Sequence, residues 1–268
     1  GGIIAWNAKQ GDEDMNELLK TCLMVCPLIF LGGFVDSIAG GGGLITIPAY
    51  MMAGVPVHLT VGTNKVVAGS GAAIAAVRFF RSGKIRLMIA LCSGAGAIVG
   101  AAIGASFAAR LSDELLRGLV LVALPLIAVF LVVKKDFGQE KEKSFSPTHE
   151  ALLSLLIGLG IGIYDGLIGP GTGTFLIMAF TAVLGLDMVT ASGCGKVANL
   201  ASNAASAVTF ALHGMVMWNL VIPAAVCSML GNYCGAQYAI RGGGKKIKGM
   251  IFVVLGLMFL KMLAELID

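Results

Sequence analysis

Long apolar segments separated by short polar ones make up most of the chain. A segment needs about 20 residues to cross a bilayer as a helix. Continuous candidates lie at about 60–80, 87–108, 115–133, 190–212, 218–240 and 249–266. Two longer apolar segments are interrupted by glycines: 21–53 contains GGGG and 151–183 contains GPGTG. The pattern predicts a polytopic helical membrane protein in which two of the helices are broken.

The composition supports an all-α membrane fold. The chain is 57% hydrophobic and 13% charged, whereas soluble domains carry about 25% charged residues. Strands of membrane barrels alternate apolar and polar residues, but these segments are apolar on every face. The formal charge of +4 is small and agrees with basic residues in cytoplasmic loops, so we expect no nucleic-acid partner. The partner expected from composition is the lipid bilayer.

One polar interior stretch, KKDFGQEKEKSFSPTHE, divides the chain nearly in half. It predicts four parts: a polar N-terminal segment at 1–20, a first transmembrane repeat at 21–133, a cytoplasmic linker at 134–150 and a second transmembrane repeat at 151–268.

The two halves resemble each other. GVPVHLTVGTNKVVAGSGAAIAAVRFFRSGKI aligns without gaps onto GLDMVTASGCGKVANLASNAASAVTFALHGMV. This alignment pairs Gly54 with Gly185, Gly62 with Gly193, Lys65 with Lys196, Val66 with Val197, Phe79 with Phe210 and Gly83 with Gly214. Upstream, Asp36 corresponds to Asp165, with a two-residue insertion between. Charged residues rarely coincide by chance in apolar sequence, so the chain is predicted to contain two homologous repeats.

Basic residues suggest how the repeats are oriented, because they favour the cytoplasmic side of a membrane protein. Three basic clusters lie at 78–86, 134–143 and 241–248. All three share one side if each broken segment is a re-entrant hairpin, and the repeats are then inverted. Each repeat would have a glycine-broken or re-entrant helix plus three transmembrane helices. Eight full crossings remain the alternative.

The glycine runs are candidate anion sites. Non-helical backbone at membrane depth persists where it is buried in protein or lines a wet cavity. A helix that restarts there presents free N–H groups and the positive end of its dipole. The residues expected to bind an anion in this way are Gly40, Gly41, Gly42 and Gly43 in the first half, and Gly171, Thr172 and Gly173 in the second.

Two lysines and two aspartates are the ionisable candidates. Lys65 and Lys196 each begin a predicted crossing helix, where a charged residue is a functional candidate. Together with two helix N-termini they would form a strongly positive pocket suited to a small divalent oxyanion. Asp36 and Asp165 either balance these lysines as ion pairs or carry protons as coupling groups.

Neutral polar residues near the lysines complete the predicted site. They are Ser37, Thr63, Asn64, Ser192, Cys194, Asn199, Ser202 and Asn203. Asn199 and Asn203 lie four apart on one helix face. Cys194 aligns with Thr63 and is expected to line the site.

Several other chemistries lack a motif. Neither glycine run is followed by the lysine of a phosphate-binding P-loop. The six cysteines include no CxxC and no Cys/His cluster with metal spacing. We therefore expect no cofactor, no metal and no enzymatic activity.

The motifs GGFVDSIAGGGGLITIPAYMMAGVPVHLTVGTNK, RFFRSGKI and YDGLIGPGTGTF closely resemble the TauE/SafE sulfite exporter family, also called the 4-toluene sulfonate uptake permease family. The resemblance extends from about residue 21 to residue 266. It implies a multi-pass transporter of the bacterial or archaeal inner membrane, with sulfite, small sulfonates or related sulfur-containing anions as substrates.

The sequence thus predicts a secondary transporter of small sulfur-containing oxyanions that works by alternating access, with possible proton coupling. Two alternatives stay open: an anion channel without coupling, and a membrane-embedded sulfur or thiol redox enzyme that relies on Cys194. The sequence leaves the direction of transport, the coupling ion and the oligomeric state open.

Overall fold

The computed structural model describes residues 12–112, 114–116, 118–119 and 145–267. Helices make up most of this part of the chain, and none of its residues forms a strand. We number the helices α1 (Asp12–Ala39), α2 (Gly43–Met52), α3 (Val57–Arg81), α4 (Leu87–Ala108), α5 (Pro147–Leu167), α6 (Thr172–Leu184), α7 (Met188–Leu212) and α8 (Trp218–Ile267). α8 is broken at Gly243, where φ is 65° and ψ is −170°, so it consists of two helical segments. The all-helical prediction is confirmed for the described residues.

Three of the described helices are long and apolar enough to cross a membrane: Leu18–Ala39 within α1, and the whole of α4 and α5. Most of the predicted crossing at 115–133 and most of the predicted linker lie outside the described residues. α5 begins at Pro147, a few residues before the predicted segment, because Ser146 caps it. The Ser146 side chain accepts a hydrogen bond from the His149 N–H.

The helix bounds repeat between the two halves. α3 and α7 both contain 25 residues. The offset that aligns Lys65 with Lys196 also aligns the first residue of α3 with the first residue of α7, and the last residue of α3 with the last residue of α7. It aligns the first residues of α4 and α8 as well. The turns after α3 and α7 use Gly83 and Gly214 with φ of 69° and 70°, a left-handed conformation that favours glycine.

Both broken segments fold into helical hairpins. In the first hairpin, α2 returns along α1 so closely that a Cβ on Gly32 would lie 2.4 Å from the Thr46 side chain. In the second, the Tyr164 ring of α5 packs edge-on against Phe175 of α6, with ring centroids 5.4 Å apart. Each turn is therefore a tip at which two helix ends meet.

α3 and α7 pack against each other at the centre and run antiparallel. Gly62, near the start of α3, faces Phe210, near the end of α7. Gly193, near the start of α7, faces the carbonyl of Lys84, just after α3. Around this centre, α1 packs against α8 and α4 packs against α5.

The outer helices expose large apolar side chains, while polar side chains lie inside. Leu23, Leu91, Leu156 and Ile222 are between 51% and 73% exposed. Both central lysines are 2% exposed. This distribution suits a surface in contact with lipid tails and a polar interior shielded from them.

Glycines make the contact between α4 and α5. They recur every fourth residue at Gly96, Gly100 and Gly104 of α4 and at Gly158, Gly162 and Gly166 of α5. A Cβ at any of these positions would lie 2.0–2.8 Å from backbone atoms of the facing helix. Small residues at this spacing let membrane helices approach closely, so these glycines serve packing.

Candidate functional site

Two buried ion pairs cross between the halves of the chain. The ammonium of Lys65 on α3 lies 2.8 Å from Asp165 Oδ1 on α5. The ammonium of Lys196 on α7 lies 2.5 Å from Asp36 Oδ2 on α1. Each lysine therefore contacts the aspartate of the opposite half. The lysines are charge-balanced, and the strongly positive pocket expected from sequence is not what these residues form.

Asp165 is held by several donors. Its Oδ1 accepts a hydrogen bond from the Thr172 hydroxyl at 2.7 Å, and its Oδ2 accepts one from the Ser202 hydroxyl at 2.6 Å. The Lys65 ammonium also donates to the backbone carbonyl of Asp165. Side chains from α3, α6 and α7 thus fix this carboxylate in place.

Asp36 has fewer partners and borders open space. Its Oδ1 accepts a hydrogen bond from the Gly42 N–H at 3.2 Å. Beside it lies a cavity of about 30 Å³ between α1, α2, α3 and α8. The cavity is lined by Gly32, Gly33, Asp36, Gly42, Gly43, Thr46, Asn64, Val67, Ala68, Ser228 and Asn232.

Hydrogen bonds order the polar side chains around this cavity. The Thr46 hydroxyl donates to Asn64 Oδ1 at 2.7 Å, and the Ser37 hydroxyl donates to Asn232 Oδ1 at 2.6 Å. Oδ1 of Asn64 and Oδ1 of Asn232 each accept a hydrogen bond, which fixes the orientation of both side-chain amides. The N–H₂ group of each amide is then available as a donor. Asn232 Nδ2 donates to the Ser228 carbonyl at 3.0 Å.

The tips of the two hairpins touch. A Cβ on Gly40 would lie 2.1 Å from the carbonyl carbon of Gly173, so this contact requires glycine. The Thr174 hydroxyl donates to the Ala39 carbonyl at 2.6 Å. Gly43 in turn faces Pro170 of the other tip. The structure therefore brings the two predicted glycine sites together.

The N–H groups at the start of α2 are partly engaged within the first hairpin. The Gly42 N–H bonds to Asp36, and the N–H groups of Leu44 and Ile45 bond to the carbonyls of Gly41 and Gly42. At the start of α6, Gly171 adopts a left-handed conformation with φ 80°, and the Thr172 N–H bonds to the Gly169 carbonyl. Anion binding at either tip stays a prediction.

Thr63 and Cys194 contact the backbone of residues in the opposite half of the chain. The Thr63 hydroxyl accepts a hydrogen bond from the Met217 N–H at 2.9 Å. Cys194 Sγ lies 3.4 Å from the Arg86 N. Thr63 thus holds the loop between α7 and α8, and Cys194 holds the loop between α3 and α4. These contacts do not place either residue beside a lysine.

Asn199 and Asn203 lie on the Lys196 face of α7 and are 6% and 3% exposed. Asn203 Nδ2 donates to the Asn199 carbonyl at 2.8 Å. The sequence reasoning missed Thr46, Ser228 and Asn232. The available signal was the pair Ser228 and Asn232, two polar residues four apart on one face of an apolar helix. Among the described residues, no three His, Cys, Asp or Glu side chains are grouped to hold a metal ion.

Comparisons with known proteins agree with the membrane character of the fold. Residues 25–262 match the family described as "Sulfite exporter TauE/SafE". A "Probable membrane transporter protein ORF9" of Sinorhizobium sp is 34% identical over 240 residues, which cover 88% of this chain and 90% of that protein.

Two other bacterial relatives are similar over almost their full length. A "Probable membrane transporter protein" of Haemophilus influenzae is 32% identical, covering 88% of this chain and 92% of that protein. The "Probable membrane transporter protein YfcA" of Escherichia coli is 31% identical, covering 93% of this chain and 95% of that protein. No solved structure matches the chain.

Proposed function

The chain belongs to the TauE/SafE sulfite exporter family of membrane transporters, and from this premise we propose that it is a secondary transporter of small sulfur-containing oxyanions. The substrate class is sulfite or a small organosulfonate. The observation that carries the proposal is the pair of buried Lys–Asp contacts that cross between the halves.

The ion pairs couple the anion to a cation. Breaking a buried ion pair leaves an uncompensated charge at a cost of about 3–5 kcal/mol. An anion that takes a carboxylate's place beside Lys65 or Lys196 creates this cost, unless the carboxylate is neutralised at the same time. A proton that binds to Asp36 or Asp165 neutralises that carboxylate. The anion and the proton therefore bind together more favourably than either binds alone.

Neutral donors would hold the anion's oxygen atoms. The candidates are the backbone N–H groups of Gly40–Gly43 and Gly171–Gly173 at the hairpin tips, and the side-chain amides of Asn64, Asn199 and Asn203. Donors at helix N-termini suit an oxyanion because the helix dipole adds to their hydrogen bonds.

Alternating access follows from inverted repeats. The antiparallel contact of the equivalent helices α3 and α7 supports an inverted arrangement, because a two-fold axis in the membrane plane would place equivalent helices antiparallel. In that arrangement the two hairpins enter from opposite sides, and their tips meet near the middle of the bacterial or archaeal inner membrane.

Two other functions predict different behaviour. An anion channel would use the same residues but would show no response to a proton gradient. A thiol redox enzyme would need Cys194, yet the Cys194 thiol lies against the backbone of Arg86. The aligned Thr63 makes the equivalent contact with Met217, and a hydroxyl can replace a thiol in a structural contact. A Cys194→Ser variant is therefore expected to keep transport.

Flux of labelled sulfite into proteoliposomes tests the proposal. Lys65→Ala and Lys196→Ala are each expected to lower the flux by about 100-fold or more, because each leaves a buried aspartate unpaired. Lys84→Ala, in the exposed turn after α3, is the matched control and is expected to transport normally. Near-normal flux in either site variant would contradict the proposal, provided that folding is verified by gel filtration.

A further inference from the structure

The two ion pairs occupy equivalent places in the halves but have different surroundings. The Asp165 side chain is 2% exposed, forms an ion pair with Lys65 and receives hydrogen bonds from Thr172 and Ser202. The Asp36 side chain is 14% exposed and receives hydrogen bonds from Lys196 and the Gly42 N–H. Ser202 aligns with Gly71, so the first half has no counterpart of the Ser202 hydroxyl that donates to Asp165.

The cavity beside Asp36 is a second difference between the two ion pairs. Asp36 is its one charged lining residue, and Asn64 and Asn232 supply amides. At the offset of the repeats, these amides align with Gly195 and Ala101 in the other half. A buried water needs about 10–15 Å³ and two or more polar partners. The cavity of about 30 Å³ is lined by one carboxylate, two amides and two hydroxyls, so it has room and polar partners for one or two waters next to Asp36.

We propose that only the Lys196–Asp36 pair opens during transport, and that the cavity beside Asp36 is a water site that delivers the proton. This inference rests on the proposed function and assigns its coupling group. A hydronium ion in the cavity gives its proton to an Asp36 carboxylate oxygen and is left as water. Lys196 then exchanges Asp36 for the anion. The Lys65–Asp165 pair stays closed and positions α3 against the second hairpin.

The charges around Asp36 agree with this assignment. Lys196 faces it from α7. The residues of α2, α3 and α8 that line the cavity are glycine, threonine, asparagine, serine, valine and alanine, all uncharged. At the tip, Gly173 and Thr174 of α6 lie against Gly40 and Ala39, next to the end of α1. One added proton on Asp36 and one added anion at Lys196 leave the net charge of the site unchanged for a monoanion.

Carbodiimide labelling tests the assignment without relying on transport. Dicyclohexylcarbodiimide adds to a protonated carboxylic acid and leaves a stable acylurea that peptide mass spectrometry locates. We expect labelling of Asp36 to exceed that of Asp165 by about tenfold or more, because Asp36 borders the cavity and Asp165 stays paired with Lys65. Asp36→Asn is the control and should remove the signal from that peptide. Equal labelling of the two residues, or preferential labelling of Asp165, would overturn the inference.

Addition of sulfite separates this inference from the proposed function. If the anion replaces Asp36 as the partner of Lys196, the addition of sulfite should increase the labelling of Asp36. Labelling of Asp36 that sulfite leaves unchanged would count against anion binding, while the assignment of the protonated residue would stand.

Matched charge-neutral double variants test the same assignment through coupling. Lys65→Met with Asp165→Asn, and Lys196→Met with Asp36→Asn, each remove both charges of one pair, so neither leaves an unpaired charge. At whatever rate of uptake remains, the ratio of sulfite uptake with and without an inward proton gradient should stay above one in the first variant. In the second variant this ratio should fall to about one, because the residue that binds the proton has been removed. Loss of stimulation in the first variant with retention in the second would reverse the assignment.

Discussion

Thr63 and Cys194 lie at equivalent positions in the two halves and hold equivalent loops. Thr63 accepts a hydrogen bond from the N–H of Met217, and Cys194 contacts the N–H of Arg86. Met217 and Arg86 are themselves equivalent, since Met217 directly precedes α8 and Arg86 directly precedes α4. The contact is thus the same structural device used twice, once with a hydroxyl and once with a thiol.

Thr63→Val tests this structural role. Valine has nearly the shape of threonine but cannot accept the hydrogen bond, so the buried N–H of Met217 is left unpaired. We expect the free energy of unfolding in detergent to fall by about 1–3 kcal/mol. Thr63→Ser, which keeps the hydroxyl, is the control and should lose less. Sulfite affinity of the folded protein should change little in both variants. A large loss of affinity in Thr63→Val alone would instead support the substrate-binding role predicted from sequence.

The sequence offered ion pairing as one role of the charged residues, and the structure contains these pairs, while the roles of the neutral residues stay predictions. Two lysines and two aspartates at matching repeat positions have few explanations in an apolar chain, and in the structure they form two ion pairs. Thr63 and Cys194 were placed in the site because they adjoin the lysines in sequence. Residues two apart on a helix, such as Thr63 and Lys65, do not share a face. Which lysine contacts which aspartate depends on packing between distant segments, which local sequence does not encode.

The contact between α4 and α5 is built from backbone rather than from large side chains. Glycine every fourth residue on both helices lets their backbones approach, and a Cβ on Gly100 would lie 2.2 Å from the Leu159 carbonyl oxygen. The spacing predicts a close-packed face, but the sequence does not specify the partner. The same four-residue rule, applied to Ser228 and Asn232, would have pointed to the face of α8 that borders the cavity.

Gly100→Ala should separate α4 from α5. The added methyl group collides with backbone, which has little freedom to move, so we expect a loss of about 1–3 kcal/mol in unfolding free energy. The control is Gly160→Ala on α5, where a Cβ meets nothing within 4 Å. That change should be neutral or stabilising by up to about 1 kcal/mol, because alanine favours a helix. Thermal unfolding in detergent measures both, and equal stability of the two variants would rule out the packing role.

At the scale of the whole molecule, the two halves form equivalent contacts at opposite ends of the α3–α7 pair. Thr63, near the start of α3, contacts the loop before α8, and Cys194, near the start of α7, contacts the loop before α4. Because α3 and α7 are antiparallel, these contacts lie toward opposite ends of the central pair. Both are formed in this structure. If inverted repeats exchange conformations, each contact should open in one of the two access states.

Reversible cross-links test this exchange. Thr63→Cys with Met217→Cys bridges one end, in a background where the native cysteines are serine. Arg86→Cys with the native Cys194 bridges the other end, in a background where the remaining native cysteines are serine. A short bifunctional methanethiosulfonate reagent should lower sulfite flux by about tenfold or more at either end, because a cross-linked contact holds the protein in one access state. A reducing agent should restore the flux. Each single-cysteine variant, treated in the same way, controls for modification alone. Full flux with a complete cross-link at either end would show that the contact there stays closed throughout transport, and that the gate lies elsewhere.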